Sequence, residues 1–182
     1  MGKDKTINLN GVEVRVKPTD FGEYLCITDL AKVIGDKTGK IIGNWFSLIG
    51  TIEFLKEWEL KYNSENFNVL RYQDFRLNAG TIRFSMSAKK WIEETNAKGI
   101  ISDAGRYGGT FAHNAIALEF CSAISPAFKL GVYADYIELK EAKAQMWLDT
   151  YQFYLRKIED NALENNRFAQ DMQDELKKLK KK

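Results

Sequence analysis

Apolar and polar residues alternate from Val12 to Lys17. Val12, Val14 and Val16 share one face and Glu13, Arg15 and Lys17 the other, the two-residue period of a half-buried strand, which Pro18 ends. A turn at Phe21-Gly22 and a second strand over Tyr24–Ile27 complete a predicted hairpin. The period then lengthens. Thr28 is expected to cap a helix over Asp29–Ile34 stopped by Gly35. After the polar linker Asp36–Lys40, a second short helix over Ile41–Ile49 closes at Gly50. Thr51 is expected to cap a third, Ile52–Tyr62, with Phe54, Leu55 and Trp58 facing inward. Phe67–Tyr72 and Gly80–Phe84 read as strands around a polar connection, and Ser87 or Ser85 as the cap of a helix over residues 88–96 that stops at Gly99.

The middle of the chain holds Gly105-Arg106-Tyr107-Gly108-Gly109-Thr110-Phe111-Ala112-His113. Three glycines around an Arg-Tyr pair describe a backbone that needs positive φ or close approach. Thr110 is the expected N-cap of the following helix, whose Ile116, Ala117, Phe120 and Ile124 form one apolar face. A guanidinium beside an aromatic ring on such a tip suits contact with phosphate and with a base. Two alternatives stand beside that reading. The loop is an ordinary turn, or its N–H groups cradle the phosphate of a nucleotide.

Ser125 and Pro126 open a further helix, with proline at the first helical position. No proline follows Pro126 and no glycine follows Gly131, so the helix is expected to run close to the C-terminus. Alternating steps of four and three pick out Ala144, Leu148, Tyr151, Leu155, Ile158 and Ala162, then Asn165, Ala169, Met172, Leu176 and Leu179. That seam predicts a dimerising coiled coil, with Asn165 fixing register. The alternatives are a lone helix that folds back on the domain or a solvated tail, and a further reading makes the whole chain chiefly an interaction scaffold assembled through this helix.

Composition narrows the class without deciding it. With 45% hydrophobic and 29% charged residues the 182-residue chain is ordinary for one folded domain and an appendage. A net charge of +2 gives no strong sign of a nucleic-acid binder, so the distribution of charge matters more than its sum. Cys26 and Cys121 lie in apolar surroundings at no metal-ligand spacing and read as core. No metal, cofactor or small-molecule substrate is expected. No apolar run is long enough to span a bilayer and no signal-peptide pattern opens the chain, so a cytoplasmic protein without a membrane partner is expected.

With Trp45, Thr51-Ile52-Glu53-Phe54-Leu55, the helix around Lys90-Trp91-Ile92 and the run from Gly105 to Leu130 in view, the chain resembles the KilA-N domain proteins. The glycine tip, its continuation Ile116-Ala117-Leu118-Glu119-Phe120 and Ile124-Ser125-Pro126-Ala127-Phe128-Lys129-Leu130 carry the likeness most specifically. KilA-N is a DNA-binding module of phages, bacteria and large DNA viruses, related to the fungal APSES domain. The resemblance implies an α+β, winged-helix-like domain with small β-hairpins, followed by the long C-terminal helix. It divides the chain into residues 1–11, a DNA-binding domain over 12–143 and a helical segment over 144–182.

What the resemblance implies is binding of double-stranded DNA without catalysis, plausibly in phage or prophage regulation. The helix over residues 40–49 would lie toward the duplex and the glycine-bearing loop over residues 105–110 would act as a wing. Family members often carry glycine where this chain has Tyr107, which here adds a stacking group. Lys37, Lys40, Lys89, Lys90 and Arg106 are the phosphate candidates. Asn44 and Ser47 lie on the polar side of the short helix and are candidates for base edges. Tyr107, Thr110 and His113 complete the candidate set at the loop and the helix start after it.

Overall fold

The valine alternation builds the strand next to one edge of a five-stranded antiparallel sheet, whose strands, numbered along the chain, lie in the order β1-β2-β3-β5-β4. The structure is a computed structural model, and it describes residues 5–9, 11–81, 84–105 and 108–179. Strand β1, Lys5–Leu9, precedes the first predicted strand and pairs with β2, Val12–Thr19, setting Ile7 opposite Val14. The expected hairpin joins β2 to β3, Gly22–Cys26, and Gly22 takes φ +111° at the turn. Strands β4, Ile100–Asp103, and β5, Gly109–His113, form a second hairpin, and β5 joins the sheet along β3 with Cys26 opposite Phe111. Among the described residues, the sheet and seven helices make an α+β fold.

Local chemistry moved several boundaries. Helix α1, Ile27–Ala31, starts at Cys26 with no side-chain cap. Thr28 lies inside its first turn, and its hydroxyl accepts instead from the Thr110 N–H (2.9 Å). Helix α2, Thr38–Phe46, begins inside the stretch expected to be a linker, because the Lys37 carbonyl accepts from the Lys40 and Ile41 N–H groups. It ends before Ile49. Helix α3, Ile49–Tyr62, restarts the chain at Leu48, whose carbonyl accepts from Ile52, so Gly50 and Thr51 lie within a helix and cap neither end.

The stretch read as a strand over Phe67–Tyr72 is corrected outright. It is largely helix α4, Val69–Asn78, capped by the Asn68 side chain, which accepts from the Arg71 N–H (3.1 Å). Tyr72, Phe75 and Ala79 are buried at helical spacing, and that burial decides against a strand. Of the second proposed strand, Gly80, Thr81 and Phe84 carry no strand, and Ile82 and Arg83 lie outside the described residues. Helix α5, Ala88–Thr95, has the predicted Ser87 cap, accepting from the Lys90 N–H (3.2 Å). Its stop is Asn96 in the left-handed region (φ 56°), three residues before Gly99.

Helix α6, Asn114–Ile124, is capped by His113, so Thr110 is a strand residue and not its cap. Ser125 and Pro126 open helix α7, Pro126–Leu179, as expected, with the Ser125 hydroxyl accepting from the Phe128 N–H (3.2 Å).

The chain divides into two compact units, residues 1–129 and 130–182. In the first, Val14, Tyr24, Phe46, Ile52, Trp91 and Phe120 are fully buried members of one core. Glu59 is buried among them and stays satisfied, accepting from the N–H groups of Lys98 (3.0 Å) and Gly99 (2.8 Å) and from Asn63 Nδ2 (2.8 Å). The second unit is the helix of α7 alone, and its large apolar side chains are exposed. No helix among the described residues is long and apolar enough to cross a membrane.

Candidate nucleic-acid interface

Helix α2 buries Ile42, Trp45 and Phe46 and leaves Lys37, Lys40 and Asn44 exposed, so the cations stand at its N-terminal end with the amide one turn further on. Gly43 faces the segment leading into α5, where a Cβ would lie 3.7 Å from the Met86 carbonyl oxygen. Close approach is fixed further by Ser47. Its hydroxyl donates to the Gly43 carbonyl (2.8 Å) and accepts from the Met86 N–H (3.3 Å). Ser47 therefore holds α2 against the start of α5, which occupies the hydroxyl that a base edge would use.

This packing opens a cleft of about 310 Å³ between α2, α5 and the sheet. The N-terminal turns of both helices border it through Thr38, Gly39 and Ser87, Ala88, Lys89. Thr28, Ser102 and Thr110 border it from α1 and the second hairpin. The hydroxyls, the N-terminal ends of two helices and a lysine make a surface that favours anions over cations. Lys89 is exposed and pairs with Glu93 at 3.7 Å, an arrangement solvent screens strongly.

The second hairpin is anchored beside this cleft by buried chemistry. Arg15 donates through Nε to Asp29 Oδ2 (2.8 Å), through Nη2 to Asp29 Oδ1 (3.1 Å), and through both terminal nitrogens to the Gly108 carbonyl (3.3 Å). Burial alone would push the Asp29 carboxyl up, but hydrogen bonds from Arg15 and Lys32 outweigh it and hold it below the ordinary carboxylate range. Lys17 pairs with Asp103 at the end of β4. At the turn, Gly105 takes φ +99° and the Gly108 N–H donates to its carbonyl (2.9 Å). A Cβ on Gly108 would meet the Asp103 carbonyl oxygen at 2.2 Å, so that position admits no side chain without moving backbone. Arg106 and Tyr107 lie outside the described residues.

His113 is turned into the protein. Its Nδ1 accepts from the Trp58 indole N–H (3.0 Å) and from the Ala115 N–H (3.2 Å), which leaves the ring neutral with its proton on Nε2. Burial lowers its pKa, opposed by a hydrogen bond with the Phe21 backbone. Lys90 stands on a different groove, with its ammonium 5.3 Å from the centre of the Phe75 ring. Of the sequence candidates, Lys89 and Thr110 border the cleft, Lys37 and Lys40 flank it on α2, and Asn44, Ser47, Lys90 and His113 do not line it.

Thr28, Thr38, Ser87 and Ser102 were absent from the candidate set. Ser87 and Thr28 carried local signals as caps, but Thr28 and Ser102 come beside Thr38 only once β5 pairs with β3 and β4. Among the described residues, no three histidine, cysteine or acidic side chains gather in a metal-binding group.

The family model of the KilA-N domain matches residues 7–142 of the chain. The protein kilA of Escherichia phage P1 is 43% identical over 65 residues, which covers 34% of this chain and 24% of that protein. The match thus spans about a quarter of the length of this curated relative. No solved structure matches the chain.

Proposed function

The chain belongs to the KilA-N domain family, and from that premise we propose that it is a non-catalytic protein that binds double-stranded DNA. The observation that carries the proposal is the cleft where the N-termini of α2 and α5 converge with a row of hydroxyls, beside Lys37, Lys40 and Lys89. Phosphates placed along that edge would take N–H donors, hydroxyls and charge together. In this winged-helix-like reading α2 lies toward the duplex and Asn44 is the residue nearest to reading bases, since an amide matches the paired donor and acceptor of adenine. The β4–β5 hairpin serves as the wing, with Arg106 and Tyr107 as its sequence candidates for phosphate and base contact.

The likeness to a phage protein supports a phage or prophage setting, in which a protein that binds DNA without catalysis would regulate by occupying it. The chain acts in the cytoplasm, without cofactor or small-molecule substrate, and pairs with a second copy through the heptad seam of α7. A nucleotide cradle at the glycine loop is less well supported, because the Gly108 and Thr110 N–H groups already have partners within the protein.

Fluorescence anisotropy on random duplex DNA over a salt series tests the proposal. Wild-type affinity should fall log-linearly with salt, and Lys37→Ala, Lys40→Ala, Lys89→Ala and Arg106→Ala should each reduce the slope by about 1 where the cation meets a phosphate. Absence of duplex binding at low salt would overturn it.

A further inference from the structure

The Arg15 guanidinium touches segments that lie far apart in the chain. It leaves β2, meets Asp29 in the first turn of α1 through Nε (2.8 Å) and Nη2 (3.1 Å), and meets the Gly108 carbonyl with both terminal nitrogens (3.3 Å). Its Nη2 also lies 3.1 Å from Cys26 Sγ at the end of β3, and its central carbon lies 5.4 Å from the centre of the Phe111 ring on β5. Gly109 lets the hairpin come this close. A Cβ there would stand 3.1 Å from Arg15 Nη2, 3.1 Å from Cys26 Sγ and 3.5 Å from Thr28 Oγ1. A second tie runs in parallel, because the Thr28 hydroxyl of α1 accepts from the Thr110 N–H (2.9 Å). The start of β5 is thus seated on α1 and β2.

Helix α1 is also the neighbour of α2. Leu30 and Ala31 share one core with Ile42, Trp45 and Phe46, and Thr28 borders the same cleft as Thr38 and Gly39. Through α1, one side chain therefore joins the helix proposed to lie toward the duplex to the hairpin proposed to be the wing. Two ordinary roles for Arg15 fit less well. As a phosphate ligand it would have to leave a carboxylate whose side chain is 4% exposed and which accepts two of its hydrogen bonds. Nor does it line the cleft. As a prop of the sheet alone it would need only Asp29, whereas the bonds to Gly108 hold a backbone carbonyl just outside the strand.

We propose that Arg15 is a positioning residue for DNA binding, whose fork fixes the distance between α2 and the β4–β5 wing so that both reach the backbone of one duplex together. The inference rests on the helix-and-wing reading above and adds the residue that joins the two. Contact through two preset elements avoids the ordering cost that a loosely held wing would incur on binding. Loss of the tie is therefore felt as affinity for DNA and not only as stability.

Anisotropy on the same random duplex DNA reads this directly. The double variant Arg15→Met/Asp29→Leu removes the fork and its carboxylate together, which keeps the net charge and leaves no buried charge unpaired. The folded variant, checked by circular dichroism, should bind about tenfold more weakly at fixed salt, the scale of one charge-assisted contact. Gly109→Ala, which removes no charge at all, should weaken binding in the same direction. In an Arg106→Ala background neither change should weaken it further, since the wing contact they position is already gone. Wild-type affinity in the folded double variant and in Gly109→Ala would overturn the proposal. So would a loss as large with Arg106→Ala as without it, which is what a purely structural role predicts. Absence of wild-type binding at low salt would instead overturn the DNA reading itself, and the proposal with it.

Discussion

Replacing Asp29 by asparagine removes the charge on which Arg15 and the second hairpin depend. Asp29 is 3% exposed and accepts from Arg15 Nε and Nη2 and from Lys32 Nζ (2.8 Å). An amide offers one acceptor in place of two and presents N–H groups to a guanidinium that has nothing to accept them. Breaking a buried pair by removing one partner costs about 3–5 kcal/mol. The Arg15 side chain keeps a quarter of its surface in water, which places this case near the lower end, about 3 kcal/mol. Urea unfolding followed by tryptophan fluorescence in a Trp147→Phe background reports on the first unit through Trp45, Trp58 and Trp91. With a slope of about 1.5 kcal/mol/M, the midpoint should fall by about 2 M at pH 7. The Asp29 pKa is depressed in the fold, so its stabilisation is present above the unfolded value of about 3.9 and is lost as pH falls through the folded one. The gap between wild type and Asp29→Asn should therefore narrow below about pH 4. A gap under about 1 kcal/mol at pH 7, or one that persists unchanged in strong acid, would refute the assigned role.

Three further outcomes follow from other buried contacts. Glu59→Ala leaves the Lys98 and Gly99 N–H groups without their acceptor and should cost about 3–4 kcal/mol in the same urea assay, with Glu59→Gln costing less. Because burial lowers the His113 pKa, stability should be complete above about pH 6.5 and decline by up to about 1.4 kcal/mol per pH unit below it, and His113→Gln should flatten that decline in thermal melts between pH 7.5 and 5.5. Gly108→Ala sets a methyl group against the Asp103 and Ala104 backbone and should cost roughly 2 kcal/mol while weakening duplex binding; unchanged stability would show that the turn tolerates a Cβ.

Elements with a sustained period were legible in the sequence. The valine alternation located the β2–β3 hairpin, and the stripes through Phe54, Leu55 and Trp58 and through Ile116, Ala117 and Phe120 located α3 and α6. Helix α4 was not, because Phe67–Tyr72 taken alone is a short apolar-rich run of strand length and the deciding residue, Phe75, lies beyond that window. Threonine caps failed three times: Thr51 lies within α3, Thr110 is a strand residue, and Thr28 is drawn off by a long-range partner. A hydroxyl next to a helix start is also free to bond elsewhere, and Thr28 does so across the sheet to Thr110. The same long-range pairing explains the site. Lysines at helix ends announce themselves locally, but the hydroxyls of Thr28 and Ser102 become neighbours of α2 only once β4, β5 and α1 are assembled.

The anchors of the second hairpin differ in how far solvent reaches them, and that difference governs how salt effects on DNA binding should be interpreted. Asp29 and Glu59 hold the Gly108 carbonyl, through Arg15, and the Lys98-Gly99 entry to β4 from inside the core. Lys98 is held a second time, its carbonyl accepting from the Tyr24 hydroxyl (2.8 Å), a phenol whose burial pushes its pKa up to about 12. The Lys17–Asp103 pair alone among these anchors is open to water on both sides. Salt screens exposed pairs within a Debye length of about 10 Å at 0.1 M and leaves buried ones largely intact. Rising salt therefore weakens at most one of the hairpin's anchors. A steep loss of duplex affinity with salt would then report counterions displaced from phosphates rather than loosening of the wing, and its slope could be converted into a count of contacts.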